Sequence, residues 1–141
     1  MKQLFLIILG CVLLGFANPE TEKEIRWEII GTKKIDARLD KALIPISFAN
    51  NKSTAIRFGF NDQNIQVHHA KLYFEGGDFQ TIPLRKTYYP GELTKIVDLR
   101  GGLRKVEKCE FYYYADRHKK NQPIIKLWAK TEVQKNLAGN Q

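Results

Sequence analysis

Residues 108 to 120, KCEFYYYADRHKK, gather one thiol, three consecutive tyrosines, two acids, a histidine and four basic side chains. Cys109, Asp116 and His118 are the types that build a thiol nucleophile with an oriented base. Their spacing argues against it. If a strand runs to residue 115, Cys109 lies roughly 20 Å from its end, at about 3.3 Å per residue. His118 lies beyond that end and cannot reach back to Sγ, as a base must. Cys109 also shares a pleat face with Phe111 and Tyr113, an apolar setting that keeps a thiol protonated. Cys109 is therefore read as a structural, buried residue.

Adjacent His68 and His69 are the candidate metal ligands. Neighbouring strand residues point to opposite faces, so the pair can share an ion only if a bulge turns them together. No HxH or HExxH spacing accompanies them. Ser47 and Ser53 lack a nucleophile-elbow context. Asp36 and Asp40 could flank a substrate or calcium ion, but solvated or turn-capping acids are the commoner use. Asp98 is expected to pair with an arginine beside the Arg100–Gly101–Gly102 turn. Asn51 to Ser53 form a glycosylation sequon, without meaning in a bacterial protein. No catalytic residue and no cofactor is implied.

The elements that must position these residues read as strands. Apolar residues recur with a period of two in short runs separated by Gly, Pro, Asn and Asp. Strands are predicted at 25–31, 43–48 (with Pro45 marking an edge or bulge), around Ile56, Phe58 and Phe60, and over IQVHHAKLYF. In the last, Ile65 and Val67 and then Ala70, Leu72 and Phe74 face inward. The phase slips at His68 and His69, which predicts a β-bulge. Further strands follow in FQTIPLR, LTKIVDL, the segment holding Cys109, and IIKLWAKTEV. Asn50 to Ser53 and Gly76 to Asp78 read as turns. Pro90–Gly91 reads as a type II turn with Gly91 at the positive-φ position. KKIDARLDKA is either one helical turn or a continued first strand. About eight strands predict an all-β, antiparallel sandwich or jelly-roll-like domain over residues 18–134, with a partly closed barrel as the alternative and 135–141 as a tail.

The nine-residue ADRHKKNQP segment has a hairpin loop's length and composition. Placing Tyr112 opposite Lys126 puts Cys109, Phe111 and Tyr113 beside Ala129, Leu127 and Ile125 on an inner face. The outer face then carries Lys108, Tyr112, Lys126, Trp128 and Lys130, close enough to form one patch. Arg117, His118, Lys119 and Lys120 at the tip extend its positive field. Such a face can stack on sugars or bases and hold carboxylate, sulfate or phosphate. The competing reading is that lysine stems merely cover aromatic rings.

The N-terminus MKQLFLIILGCVLLGFANPE has one charge, an apolar run from Leu4 to Leu14, and small residues Gly15 and Ala17. That is the order of a secretory signal peptide, residues 1–17, and the run is too short to span a bilayer. A lipobox-like Ile8 to Cys11 offers the alternative of lipidation at Cys11, against which the apolar Val12 to Leu14 argue. The chain is expected to be exported, periplasmic or secreted, with no transmembrane helix in the mature part. Without Lys2, 22 basic residues face 15 acidic ones, which favours anionic partners. Cys109 is the sole remaining cysteine, so no internal disulfide staples the domain.

WEIIG at 27–31, Asp40 before Ile44 to Ile46, and IVDLRGGLRKVEKCEFYY at 96–113 resemble a group of small exported bacterial proteins of uncharacterised function. The resemblance implies export and one β domain, and it carries over no site residues. The leading expectation is a non-enzymatic binding or envelope-associated module recognising an anionic polymer or a partner protein. Two alternatives stand beside it. One is a small hydrolase or metal-dependent enzyme joining His68 or His69 to acids from other strands. The other is a structural subunit pairing through an edge strand. Nucleic acid is disfavoured for an exported protein, and the oligomeric state is open.

Overall fold

The computed structural model describes residues 21–47 and 52–136. The signal-peptide reading, Cys11, Asn50 and Asn51 lie outside the described residues. The chain divides into two compact units, residues 1–24 with 133–141, and Ile25–Glu132. In the first, the described residues are the outer ends of two strands. Everything below concerns Ile25–Glu132.

Eight strands follow in order: β1 Thr21–Lys34, β2 Lys41–Ile44, β3 Lys52–Asn61, β4 Ile65–Phe74, β5 Phe79–Tyr88, β6 Val97–Asp98, β7 Val106–Tyr114 and β8 Ile124–Asn136. Among the described residues there is no helix. The strands form two four-stranded sheets, ordered β1-β8-β3-β6 and β2-β7-β4-β5. The fold is an all-β antiparallel sandwich.

Alternation builds the core. Ile56, Phe58 and Phe60 are buried on β3, as are Cys109, Phe111 and Tyr113 on β7 and Ile125, Leu127 and Ala129 on β8. The rings of Phe58 and Phe111 meet edge-to-face at 5.2 Å, and Phe60 stacks on Tyr88 at 4.4 Å. Each contact joins one sheet to the other, so these rings fill the space between the layers. The bulge on β4 is present: its register slips between Val67 and His69 against both β5 and β7, and Ile65, Val67, Ala70, Leu72 and Phe74 are all buried.

Several expected elements differ. The hairpin of β7 with β8 does not form, because the two strands belong to different sheets. Residues 115–123 carry the chain across the sandwich instead. β7 lies between β2 and β4, while β8 lies beside β3. Both strands have the expected inner residues, but these face each other through the core rather than side by side. LTKIVDL yields only the two-residue β6, since Thr94 replaces regular pairing. The Phe58 amide donates to Thr94 Oγ1 at 3.0 Å, and the Thr94 amide donates to the Phe58 carbonyl at 2.9 Å. The second strand is Lys41–Ile44, ending at Pro45, which has no amide hydrogen to extend the ladder; it is an edge strand. Lys52 and Ser53 open β3 rather than closing a turn. In the ambiguous segment, β1 continues to Lys34 and a turn follows, with the Leu39 amide donating to the Asp36 carbonyl at 3.1 Å.

The glycine turns are as the sequence requires. Gly91 has φ 91° in a turn closed by the Glu92 amide on the Tyr89 carbonyl at 3.0 Å.

Candidate binding faces

The nine residues of the expected patch divide between the two outer faces and one loop. On β8, Lys126, Trp128 and Lys130 alternate with the buried Ile125, Leu127, Ala129 and Thr131, so they stand on the outer face. Register sets Trp128 opposite Arg57 and Lys126 opposite Gly59 on β3. Trp27, Arg57, Leu93 and Trp128 line an open cleft of about 210 Å³. Its shape depends on Gly59. A Cβ there would stand 3.0 Å from Leu93 Cδ2 and 3.3 Å from Trp128 Nε1. Arg57 is held in place by Nε and Nη2 donating to the Thr94 carbonyl at 3.2 and 2.9 Å. Trp128 stands on the strand between those of Trp27 and Arg57, and a fixed guanidinium at the side of two tryptophans suits stacking with simultaneous contact to an anion. Trp27, Arg57 and Leu93 escaped the sequence reading because they belong to segments distant from β8 in the chain.

Lys108 and Tyr112 stand on the outer face of the other sheet. There the register forms three rows: Lys41, Tyr112, His69 and Pro83; then Leu43, Glu110, Lys71 and Thr81; then Lys108, Tyr73 and Phe79. Three lysines lie over rings, with Lys108 Nζ 4.8 Å from Tyr73, Lys71 Nζ 4.7 Å from Phe79 and Lys41 Nζ 5.8 Å from Tyr112. Glu110 Oε1 accepts from Tyr73 Oη at 3.0 Å and Tyr112 Oη at 3.2 Å. Burial works to raise the Glu110 pKa, but these two hydrogen bonds with the charges of Lys41 and Lys108 outweigh it and hold the carboxyl low. The carboxylate therefore organises the tyrosines. Arg117, His118, Lys119 and Lys120 are exposed on the β7–β8 connection, where Asp116 Oδ1 accepts from the His118 amide at 2.9 Å.

The bulge does turn His68 and His69 together, with Nδ1 atoms 2.6 Å apart. That is hydrogen-bond spacing, shorter than the roughly 3.3 Å that two ligands about 2.0 Å from a tetrahedral zinc would keep. Among the described residues no three His, Cys, Asp or Glu side chains gather as a metal site. Cys109 is fully buried, and desolvation followed by the Glu110 charge pushes its thiol pKa far up. Asp36 serves its own turn, accepting from the Arg38 amide at 2.9 Å and from its guanidinium. Arg104 pairs with Asp78 at 2.7 Å, not with Asp98 as expected, because the 76–78 turn places that carboxylate beside it.

His69 stacks on Tyr112 at 4.2 Å. Burial, then the charges of His68, Lys71 and Arg85, hold its pKa below the ordinary histidine value. The unfolded chain therefore takes up this proton first. The stabilisation is complete above the unfolded value of about 6.5 and is lost as pH falls through that region. Asp36, Asp78, Glu92 and Glu110 are all lowered carboxylates whose losses come at more acidic pH. Thermal melts from pH 7.5 to 5 should show wild-type stability declining, and His69→Phe, which keeps a ring on Tyr112, declining less. Parallel curves would assign the acid sensitivity elsewhere.

Two antiparallel sheets, with cationic and aromatic residues on both outer faces, define a β-sandwich whose candidate sites, among the described residues, are open surfaces. The chain belongs to the family described as Domain of unknown function (DUF2541), which matches residues 5–129. No curated protein matches it. Among solved structures, AlgX of Pseudomonas aeruginosa is similar at 12% identity with a TM-score of 0.43, over 74% of this chain and 27% of that one. The chain thus spans about a quarter of the length of AlgX.

Proposed function

We propose that this protein is an exported, non-enzymatic binding module that recognises an anionic polymer through the outer face of the β1-β8-β3-β6 sheet. The carrying observation is the Trp27–Trp128 cleft with Arg57 fixed beside Trp128 by the Thr94 carbonyl, and Lys126 and Lys130 flanking Trp128. Rings supply sequence-tolerant stacking, and the cations supply salt-sensitive attraction to repeated negative charge. Lys108, Tyr112 and the basic connection Arg117 to Lys120 add to the positive field without belonging to the cleft. Export rests on the N-terminal sequence.

The test is binding of the purified protein to a panel of acidic glycans and envelope polymers at low and high salt. Loss of one stacking ring in Trp128→Ala should weaken binding about tenfold or more, at about 1–3 kcal/mol per stacked ring. Lys126→Glu should weaken binding at low salt and flatten its salt dependence. Binding untouched by either substitution would remove this face from consideration, whereas Tyr112→Ala is expected to leave it intact.

A further inference from the structure

The bulge on β4 has a counterpart on β5. Val67 pairs with Lys86 and His69 with Pro83, so one β4 residue, His68, faces two on β5, Leu84 and Arg85. On the other side, Val67 pairs with Tyr113 and His69 with Tyr112, leaving His68 unpaired there as well. On the Gln66–Val67 side of this irregularity lies a depression of about 410 Å³ lined by Gln66, Val67, His68, Arg85, Lys86, Thr87, Tyr113 and Tyr114.

Its lining contains no carboxylate. Gln66, Thr87, Tyr114 and Arg85 supply an amide, two hydroxyls and a guanidinium, all capable donors. Lys86 contributes its stem, since its ammonium lies 3.4 Å from Glu92 Oε2. The His68–His69 contact suits one further donor: with His69 Nδ1–H donating, His68 takes the tautomer that carries a hydrogen on Nε2. Arg85 is held at φ 33°, a left-handed conformation that non-glycine residues adopt rarely. Glycine would be the favoured residue at such a position, yet the chain keeps a side chain that brings positive charge to the rim.

We propose that the paired bulges of β4 and β5 form an oxyanion site that binds a phosphate group, with Arg85 as its charged anchor and Gln66, Thr87, Tyr114 and His68 as neutral donors. The donors come from two strands and the end of a third, with Gln66 paired to Thr87 on one side and Tyr114 on the other, and they outnumber what the two oxygens of a planar carboxylate can accept. A tetrahedral phosphate uses them better. The depression has room beyond the anion, with Tyr114 at its wall to cover an attached organic group. The site is on the sheet opposite the Trp27–Trp128 cleft and does not depend on the polymer reading.

Titration calorimetry and thermal melts of the whole protein at pH 7 with inorganic phosphate, phenyl phosphate and acetate test this. Saturable stabilisation by phosphate is expected. Arg85→Gly removes the guanidinium while relieving the positive-φ strain, so it should fold at least as well as wild type and bind phosphate roughly tenfold more weakly or worse. Thr87→Val should cause a smaller loss. Neither variant should alter polymer binding through the opposite face. Tighter binding of phenyl phosphate assigns the site to an ester, and tighter binding of inorganic phosphate to the free ion. Absence of saturable binding, full binding by Arg85→Gly, or acetate binding as well as phosphate would each overturn the proposal.

Discussion

Replacing Phe111 with alanine should lower unfolding stability by about 3–5 kcal/mol, as measured by denaturant titration. Phe111 has no exposed surface and touches two rings of the other sheet, Phe58 at 5.2 Å and Phe60 at 6.2 Å between centroids. Its loss removes a large buried apolar area and leaves a cavity between sheets that strand pairing holds apart. Against a typical domain stability of about 5–15 kcal/mol, the change consumes a large fraction. The more specific expectation concerns coupling. Phe58→Ala and Phe111→Ala together should cost less than the sum of the singles, because each removes the same edge-to-face contact. Strict additivity would mean that the two sheets do not meet through these rings.

Gly31→Ala should be the second large effect. Gly31 lies on β1, where an added Cβ would come 2.6 Å from the Pro45 carbonyl oxygen and 2.8 Å from Ile44 Cγ2. The first neighbour is backbone and the second belongs to a fully buried side chain, so neither can swing aside. The Ser47 amide donates to the Ile30 carbonyl at 2.7 Å, binding the same segment to β1. Relief therefore requires moving a hydrogen-bonded chain, and overpacking of this kind costs about 1–3 kcal/mol. A Gly31→Ala protein melting at the wild-type temperature would show that the Pro45 segment yields freely. The close approach explains why WEIIG ends in glycine: the residue after Ile30 has to admit a neighbouring backbone.

Much of the local structure was legible in the residues. The stripe Ile56, Phe58, Phe60 announced β3 because a half-buried strand alternates faces and no other element does. The phase slip at His68 and His69 announced a bulge, since only an extra residue can return Ala70, Leu72 and Phe74 to the core. Pro90–Gly91 announced its turn through the φ that each residue fixes or permits. Cys109 was correctly read as buried because its pleat partners, Phe111 and Tyr113, are apolar on the same face.

Lateral neighbours were not legible in the same way. A period of two states which side chains face inward, but the inward stripe of β8 looks the same whether it lies beside β7 or across the core from it. The nine residues ADRHKKNQP suit a hairpin and a crossover alike, so local chemistry could not choose. The sequence by itself determined most of the strands, the inner faces of β3, β4, β7 and β8, the bulge and the excess of positive charge. Only the tertiary structure decided that Tyr112 and Trp128 occupy opposite outer faces. It placed Arg57 and Trp27 beside Trp128, and Arg85 beside His68. The physical reason is that burial of both stripes was satisfied by packing two sheets face to face, which depends on the partners available to every strand at once.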